Sequence, residues 1–345
     1  MPPMDTLATR VKRRAAQLKA RANMPVKWAA YEGGLTHGPF FPDRLYVEST
    51  NNCNLRCVMC PTGLGVIARP KGYMDMGLFE RIVEEVAPMR PALVLHSWGE
   101  PMMHPELFEM VRRARARDLW VETSTNITLL TEERIRKVLA SGMSQLYLAM
   151  DGVTKATYER VRVGANYDKV LHNVERLLDL KRQSGSRLRV VLQIIAMNET
   201  REEVAEFVRR WTRPEVDQVN VKHLDTWGDQ VAEISEHAIQ HEEPPVRRPC
   251  PNLWYHGYIF WDGSLVSCER DYDVKTPLGN VKDGVLAAWH GERMRALREK
   301  HVRGDFTAPA CVNCVEWSWW TPRPLRSAGT APKVDNHATR PPGDA

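Results

Sequence analysis

Between residues 43 and 222, short runs of apolar, β-branched and aromatic residues alternate with longer stretches whose apolar positions recur at helical spacing. The runs at 44–49, 92–96, 119–123, 145–149, 188–196 and 217–222 read as strands. The stretches near 76–87, 105–117, 131–141, 167–184 and 199–212 read as helices. In the first of these, Leu78, Ile82, Val83 and Val86 supply the apolar positions while Glu80, Glu84 and Glu85 are charged. Asn198-Glu-Thr-Arg-Glu202 reads as a helix start, with Thr200 the candidate N-cap. Six such repeats predict a parallel α/β sheet with right-handed crossovers.

Beyond residue 222 the texture changes. Residues 223–249 are polar, contain Gly228, Pro244 and Pro245, and read as a linker. Tyr258-Ile-Phe-Trp261, Asp262-Gly263 and Ser264-Leu-Val-Ser267 read as a hairpin turned by Asp-Gly. A helix is expected from about Val285 to Lys300, with Trp289, Met294 and Leu297 on its packing side. The expected division is an N-terminal extension at 1–42, a core at 43–222, a linker at 223–249, a small domain at 250–321 and a disordered Pro/Gly/Ala-rich tail at 322–345. The extension is basic and predicts a helix with Leu7, Val11, Ala15 and Leu18 on one face, packed along the core.

Composition adds little: 43% hydrophobic, 26% charged and a net charge of +5 over 345 residues describe an ordinary globular chain. No basic run is interleaved with an RNA-reading aromatic motif, so no nucleic-acid partner is expected. No apolar run reaches the ~18–20 residues of a membrane span. The cysteines add far more. All seven fall into two groups, at 53, 57 and 60 and at 250, 268, 311 and 314. An odd count with a C-x2-C pair and no secretion signal points to metal binding in a reducing compartment, so a cytoplasmic location is expected.

Cys53-Asn-Leu-Arg-Cys57-Val-Met-Cys60 follows the first strand directly. Three thiolates at such a turn can hold three irons of a cubane cluster, leaving the fourth open for a small molecule. A zinc site is the plainer alternative, although zinc usually takes four N/S ligands. The segment, with Pro61 after it, resembles the signature of the radical S-adenosylmethionine (SAM) family. That resemblance implies a partial (β/α)6 TIM-like barrel with its site at the C-terminal strand ends. It also implies a SAM-binding [4Fe-4S] cluster on Cys53, Cys57 and Cys60, and a 5′-deoxyadenosyl radical that takes hydrogen from substrate. Reduction would come from a donor such as flavodoxin or ferredoxin.

Further motifs follow in the family's order. His96-Ser-Trp98-Gly99-Glu100-Pro101 resembles the Gly-Gly-Glu-Pro loop that holds the SAM amino group, with Trp98 in place of the first glycine. Thr123-Ser124-Thr125-Asn126 resembles the Thr-Asn strand ending near SAM, or is a plain turn. Asp151-Gly152 resembles the Ser-Xaa-Asp-Gly ending, Gln193 is expected near adenine or ribose, and Met59 takes a position beside adenine that is often aromatic. The resemblance therefore implies Met59, Gly99, Glu100, Pro101, Ser124, Asn126, Asp151 and Gln193 as SAM-binding residues. Arg162, Asp151 and His96 are the candidates for catalytic roles.

Cys250-x12-Gly263-x4-Cys268 followed by Cys311-x2-Cys314 resembles the auxiliary-cluster domain called SPASM in its long form and twitch in its short form. No cysteine follows Cys314, which implies a second, auxiliary [4Fe-4S] cluster with four protein ligands. The short layout is similar to that of radical SAM alcohol oxidases of the 2-deoxy-scyllo-inosamine dehydrogenase type. The leading expectation is oxidation of a hydroxylated small molecule, of sugar or aminocyclitol type. Peptide crosslinking or thioether formation, and redox-neutral dehydration, decarboxylation or epimerisation, are the alternatives. A non-catalytic zinc-binding protein is the remote one.

Overall fold

The computed structural model describes residues 23–239, 246–320 and 322. The six strand-forming runs become β1 (Arg44–Val47), β2 (Ala92–Val94), β3 (Val121–Thr125), β4 (Gln145–Ala149), β5 (Arg189–Ala196) and β6 (Gln218–His223). They lie parallel and side by side in chain order. The intervening helices include Met76–Val86, Leu107–Ala116, Glu132–Ala140, Tyr167–Ser184 and Val204–Trp211. Three begin on side-chain caps: Asp75 accepts from the Leu78 N–H, Thr131 from Arg134 and Asn166 from Lys169.

Three local expectations are corrected. The last of these helices starts at Val204, not near 199. Thr200 is no cap: its hydroxyl donates to the Ile195 carbonyl and accepts from the Met197 N–H, closing a turn before the helix. An additional helix, Lys155–Val161, is capped by Thr154 and is too short to show a period in the sequence. The expected 285–300 helix is two, Val285–Trp289 and Glu292–Val302, broken at His290-Gly291.

Strand alternation gives the sheet two unlike faces. Leu45, Val47, Leu93, Leu95, Val121, Leu146, Leu148, Val190, Leu192 and Ile194 all belong to the main core, against the helices. The register puts Arg44, Tyr46, His96, Glu122, Ser124, Tyr147, Gln193, Asn220 and Lys222 on the opposite, inner face. At the N-terminal end of that face Arg44 pairs with Glu122 at 2.5 Å, and Trp120 Nε1 donates to the same carboxylate at 2.8 Å. This buried pair closes the barrel floor and leaves the C-terminal end for chemistry.

The C-terminal hairpin, β7 (His256–Ile259) and β8 (Ser264–Val266), turns at Asp262-Gly263 as expected. Gly263 sits at φ +90°, where an added Cβ would also meet Asn280 Oδ1 at 2.6 Å. β7 pairs in parallel with β1, so the hairpin and β9 (Gly279–Asn280) extend the barrel sheet to nine strands. Glu85, on the first barrel helix, accepts from the Val285 and Leu286 N–H groups, both at 2.8 Å, and fixes the small unit to the barrel. The start of the 223–249 segment is folded onto the barrel mouth through buried Val231 and Ile234. The helix expected around Leu7–Leu18 and nearly all of the 322–345 tail fall outside the described residues.

Candidate active site

β1 delivers the chain through Glu48–Asn52 to Cys53, and the three signature cysteines are free thiols at the barrel mouth. Burial pushes the Cys53 thiol up to about 11 and Cys57 up to about 12. Neighbouring thiols add to this: Cys60 acts on Cys53, and both Cys60 and Cys53 act on Cys57. The three therefore converge. Asn126 Nδ2 approaches Cys53 Sγ at 3.9 Å and Arg162 Nη1 approaches Cys57 Sγ at 3.8 Å.

The loop after β2 is joined to the approach of Cys53. A Cβ on Gly99 would lie 2.2 Å from the Thr50 carbonyl oxygen and 2.7 Å from that of Asn52, so only glycine permits this contact. Glu100 donates its N–H to Asn52 O at 2.8 Å. Its buried carboxylate accepts from Asn126 N (2.7 Å), Thr125 Oγ1 (2.8 Å) and Met102 N (3.1 Å). Burial raises the Glu100 pKa and these donors oppose the rise. Pro101 opens a single 3-10 turn, Pro101–Met103. The β2 and β3 loops thus meet on one carboxylate beside Cys53.

Asp151 and Arg162 are committed to each other. Arg162 Nε and Nη2 reach Asp151 Oδ2 at 2.8 and 2.5 Å, and Asp151 Oδ1 accepts the Ile195 N–H at 2.7 Å. Neither is a free acid or base; together they hold a positive charge against Cys57. His96, on the inner face, accepts the Ser124 N–H at Nδ1 (3.1 Å), so the neutral ring carries its proton on Nε2 and presents a donor. Gln193 Oε1 accepts from Asn220 Nδ2 at 3.1 Å. Met59 is buried and its carbonyl accepts Trp227 Nε1 at 3.0 Å.

Burial, with the charges of Lys222 and Arg44, lowers the His96 pKa to about 3. Burial likewise lowers His301 to about 4, and His256. A histidine whose folded pKa is depressed contributes stability above its unfolded value near 6.5, and loses it as pH falls toward the folded value. Urea midpoints are expected to fall steadily from pH 7 to pH 4, and His96→Asn is expected to flatten that slope. An unchanged slope in the variant would refute a neutral, buried His96.

The second set of thiols converges in the same way. Burial and the neighbouring Cys250 push Cys268 up to about 12, and burial with Cys268 and Cys250 raises Cys311 and Cys314. Arg270 opposes this at Cys250, Cys268 and Cys314, and is itself buried against Asp225 and Glu316. Cys314 Sγ donates to Glu316 Oε2 at 3.1 Å. This Asp225–Arg270–Glu316 triad was invisible in the sequence, because its members come from three distant segments.

Between the two sets stands Trp98, where the motif usually has glycine. It is buried, donates Nε1 to Glu269 O at 3.2 Å, and its ring lies 4.5 Å from Trp227 and 5.5 Å from Tyr272. Cys57, Met59, Trp98, Tyr258, Cys268 and Tyr272 belong to one apolar cluster. Among the described residues, no three His, Cys, Asp or Glu side chains are gathered as a ready site for a single metal ion. Soft, buried, mutually repelling thiols in sets of three and four are the donor chemistry of iron–sulfur clusters.

Comparison with known proteins agrees. Residues 47–210 match the radical SAM superfamily model, and residues 250–315 match the SPASM iron–sulfur cluster-binding domain. The tungsten-containing aldehyde ferredoxin oxidoreductase cofactor-modifying protein of Pyrococcus furiosus is 25% identical over 315 residues, covering 78% of this chain and 86% of that protein. The PqqA peptide cyclase of Gluconobacter oxydans is 31% identical over 36% of this chain and 34% of its own length. Two solved structures share the fold. BtrN in complex with AdoMet and 2-DOIA aligns at TM-score 0.55 and 16% identity, over 79% of this chain and 93% of that one. Streptococcus suis SuiB bound to precursor peptide SuiA aligns at TM-score 0.60 and 11% identity, over 74% and 66%. Among the described residues no helix is long and apolar enough to cross a membrane.

Proposed function

The chain is a radical SAM enzyme with a SPASM-type iron–sulfur domain, and from that premise we propose that it oxidises a hydroxyl-bearing carbon of a sugar- or aminocyclitol-type small molecule. Its cofactors are SAM and two [4Fe-4S] clusters. When bound and reduced, they supply a 5′-deoxyadenosyl radical and a place for one electron. Cys53, Cys57 and Cys60 hold the first cluster, and Cys250, Cys268, Cys311 and Cys314 the second. Asn126 and Arg162 fix the Cys53 and Cys57 thiolates. Glu100 stations the β2 and β3 loops around the SAM amino group, and Met59 and Gln193 flank the nucleoside.

One observation carries the oxidative reading: Cys57 of the first thiol set and Cys268 of the second lie in a single apolar cluster with Trp98. Turning an alcohol into a carbonyl removes two protons and two electrons. One hydrogen atom goes to the radical; one proton and one electron remain. A second redox site in the same water-poor body can take that electron, and solvent at the barrel mouth the proton. The shared fold with BtrN, captured with AdoMet and 2-DOIA, supports this reading. Flavodoxin or ferredoxin in the cytoplasm would supply the initiating electron.

A second reading is modification of a peptide, favoured by the likeness to PqqA peptide cyclase and to SuiB with its precursor peptide. Anaerobic turnover with C-deuterated polyols and aminocyclitols separates the two. The oxidative reading expects one carbonyl product per 5′-deoxyadenosine, with one substrate deuterium in the latter. Deuterium-free 5′-deoxyadenosine with every member of the set would discard it.

A further inference from the structure

The inner face of the barrel carries a group of polar side chains of which the SAM-binding assignments use only Gln193. Lys222 is level with the first cysteine set. It pairs in register with Ile195, whose N–H donates to Asp151, and Asp151 holds Arg162 against Cys57. Alternation places Lys222 on the same face as Asn220, which bonds Gln193 across the strands. Lys222 is half-buried and has no hydrogen-bond or ion-pair partner among the described residues. Its charge reaches the His96 ring, just after β2.

The neighbouring groups are donors too. His96 presents Nε2–H, because Nδ1 is taken by Ser124 N. Gln193 keeps its amide NH2, because its carbonyl oxygen is taken by Asn220. Next to Cys268 in the chain is Glu269, half-buried, whose carboxylate acts on Tyr46 and Tyr258 beside the inner face and has no partner among the described residues. Lys222 and Glu269 form no ion pair with each other, so the cationic donors and the carboxylate remain separate groups. A half-buried ammonium with no counterion among the described residues is open to pairing, and an incoming oxyanion supplies it.

We propose that Lys222, with His96, receives an oxyanion of the substrate, a carboxylate or a phosphate, while Glu269 takes a hydroxyl or amine at its other end. This rests on the oxidative reading above and narrows its substrate to a hydroxylated acid. The orientation puts the hydroxyl end beside Cys268.

The test is equilibrium binding of D-glucuronate, glucose 6-phosphate and methyl β-D-glucoside to the reconstituted, SAM-loaded enzyme. At least one anion is expected to bind about ten- to hundredfold tighter than the neutral glycoside, the range set by hydrogen bonds to a charged group. The stronger anion tells carboxylate from phosphate. Lys222→Met is expected to erase the preference and Lys222→Arg to keep most of it, with SAM affinity unchanged in both. Equal binding of all three probes, a preference surviving in Lys222→Met, or loss of SAM affinity in that variant would each overturn the inference. The deuterium-transfer turnover described above tests the oxidative reading separately, and sugar-free SAM cleavage by the dithionite-reduced enzyme tests the radical chemistry beneath it. Cleavage without charge preference sinks only the inference, whereas no cleavage sinks the radical chemistry beneath it.

Discussion

Cys57→Ala is expected to abolish formation of 5′-deoxyadenosine and to lower iron from about eight to about four atoms per chain, the loss of one of two cubane clusters. Cys57 is the most buried of the first set, and it is the thiol whose charge is balanced by a side chain, Arg162. With three ligands already the minimum for that cluster, losing one leaves two thiols, too few to hold it, while Arg162 keeps its pairing with Asp151. Cys311→Ala is the contrasting variant. It should also fall to about four irons, yet keep SAM cleavage, because its thiol belongs to the other set. Iron, sulfide and zinc assays on anaerobically prepared protein, read beside 5′-deoxyadenosine yield, check both. About four irons with one zinc in the unsubstituted protein would remove the internal electron acceptor and favour a redox-neutral reaction.

The contrast is informative because the two sets were legible in the sequence to different depths. Cysteine spacing identified both, since ligand geometry demands fixed offsets along the chain. Strand order was equally legible: β4 lies where its apolar run placed it, and β3 is only shifted by two residues toward Thr125. What could not be read was pairing across the barrel. Asp151 and Arg162 were each singled out, but as independent candidates for chemistry; their commitment to each other depends on β4, β5 and the Lys155–Val161 helix meeting at Cys57. Trp98 looked like a departure from a glycine motif. Only the fold of residues 224–239 and of the segment after Cys268 shows that Trp227 and Tyr272 are there to pack against it. Lys222 and Glu269 carried no sequence signal, because a charged residue near a strand end is ordinarily solvated.

That commitment makes the second large effect predictable. Arg162→Met should destabilise the protein by about 3–5 kcal/mol, the usual cost of removing one partner from a buried ion pair. The Arg162 and Asp151 side chains are 11% and 0% exposed, so the stranded carboxylate cannot recover hydration without opening the barrel mouth. Asp151 would keep its bond from the Ile195 N–H, but a single neutral donor does not replace a charged, bidentate one. Asp151→Asn should cost a similar amount by stranding the guanidinium. The double variant should be more stable than the sum of the two losses implies, since an amide and a thioether leave no unpaired charge. Arg162→Lys keeps the charge but cannot span both Asp151 and Cys57, so it should retain stability better than iron. Urea unfolding of the four proteins, with iron content measured on each, separates the contributions. Additive losses across the cycle would show that the two side chains act independently. Full iron in Arg162→Met would show that the guanidinium serves the fold alone and not the Cys57 thiolate.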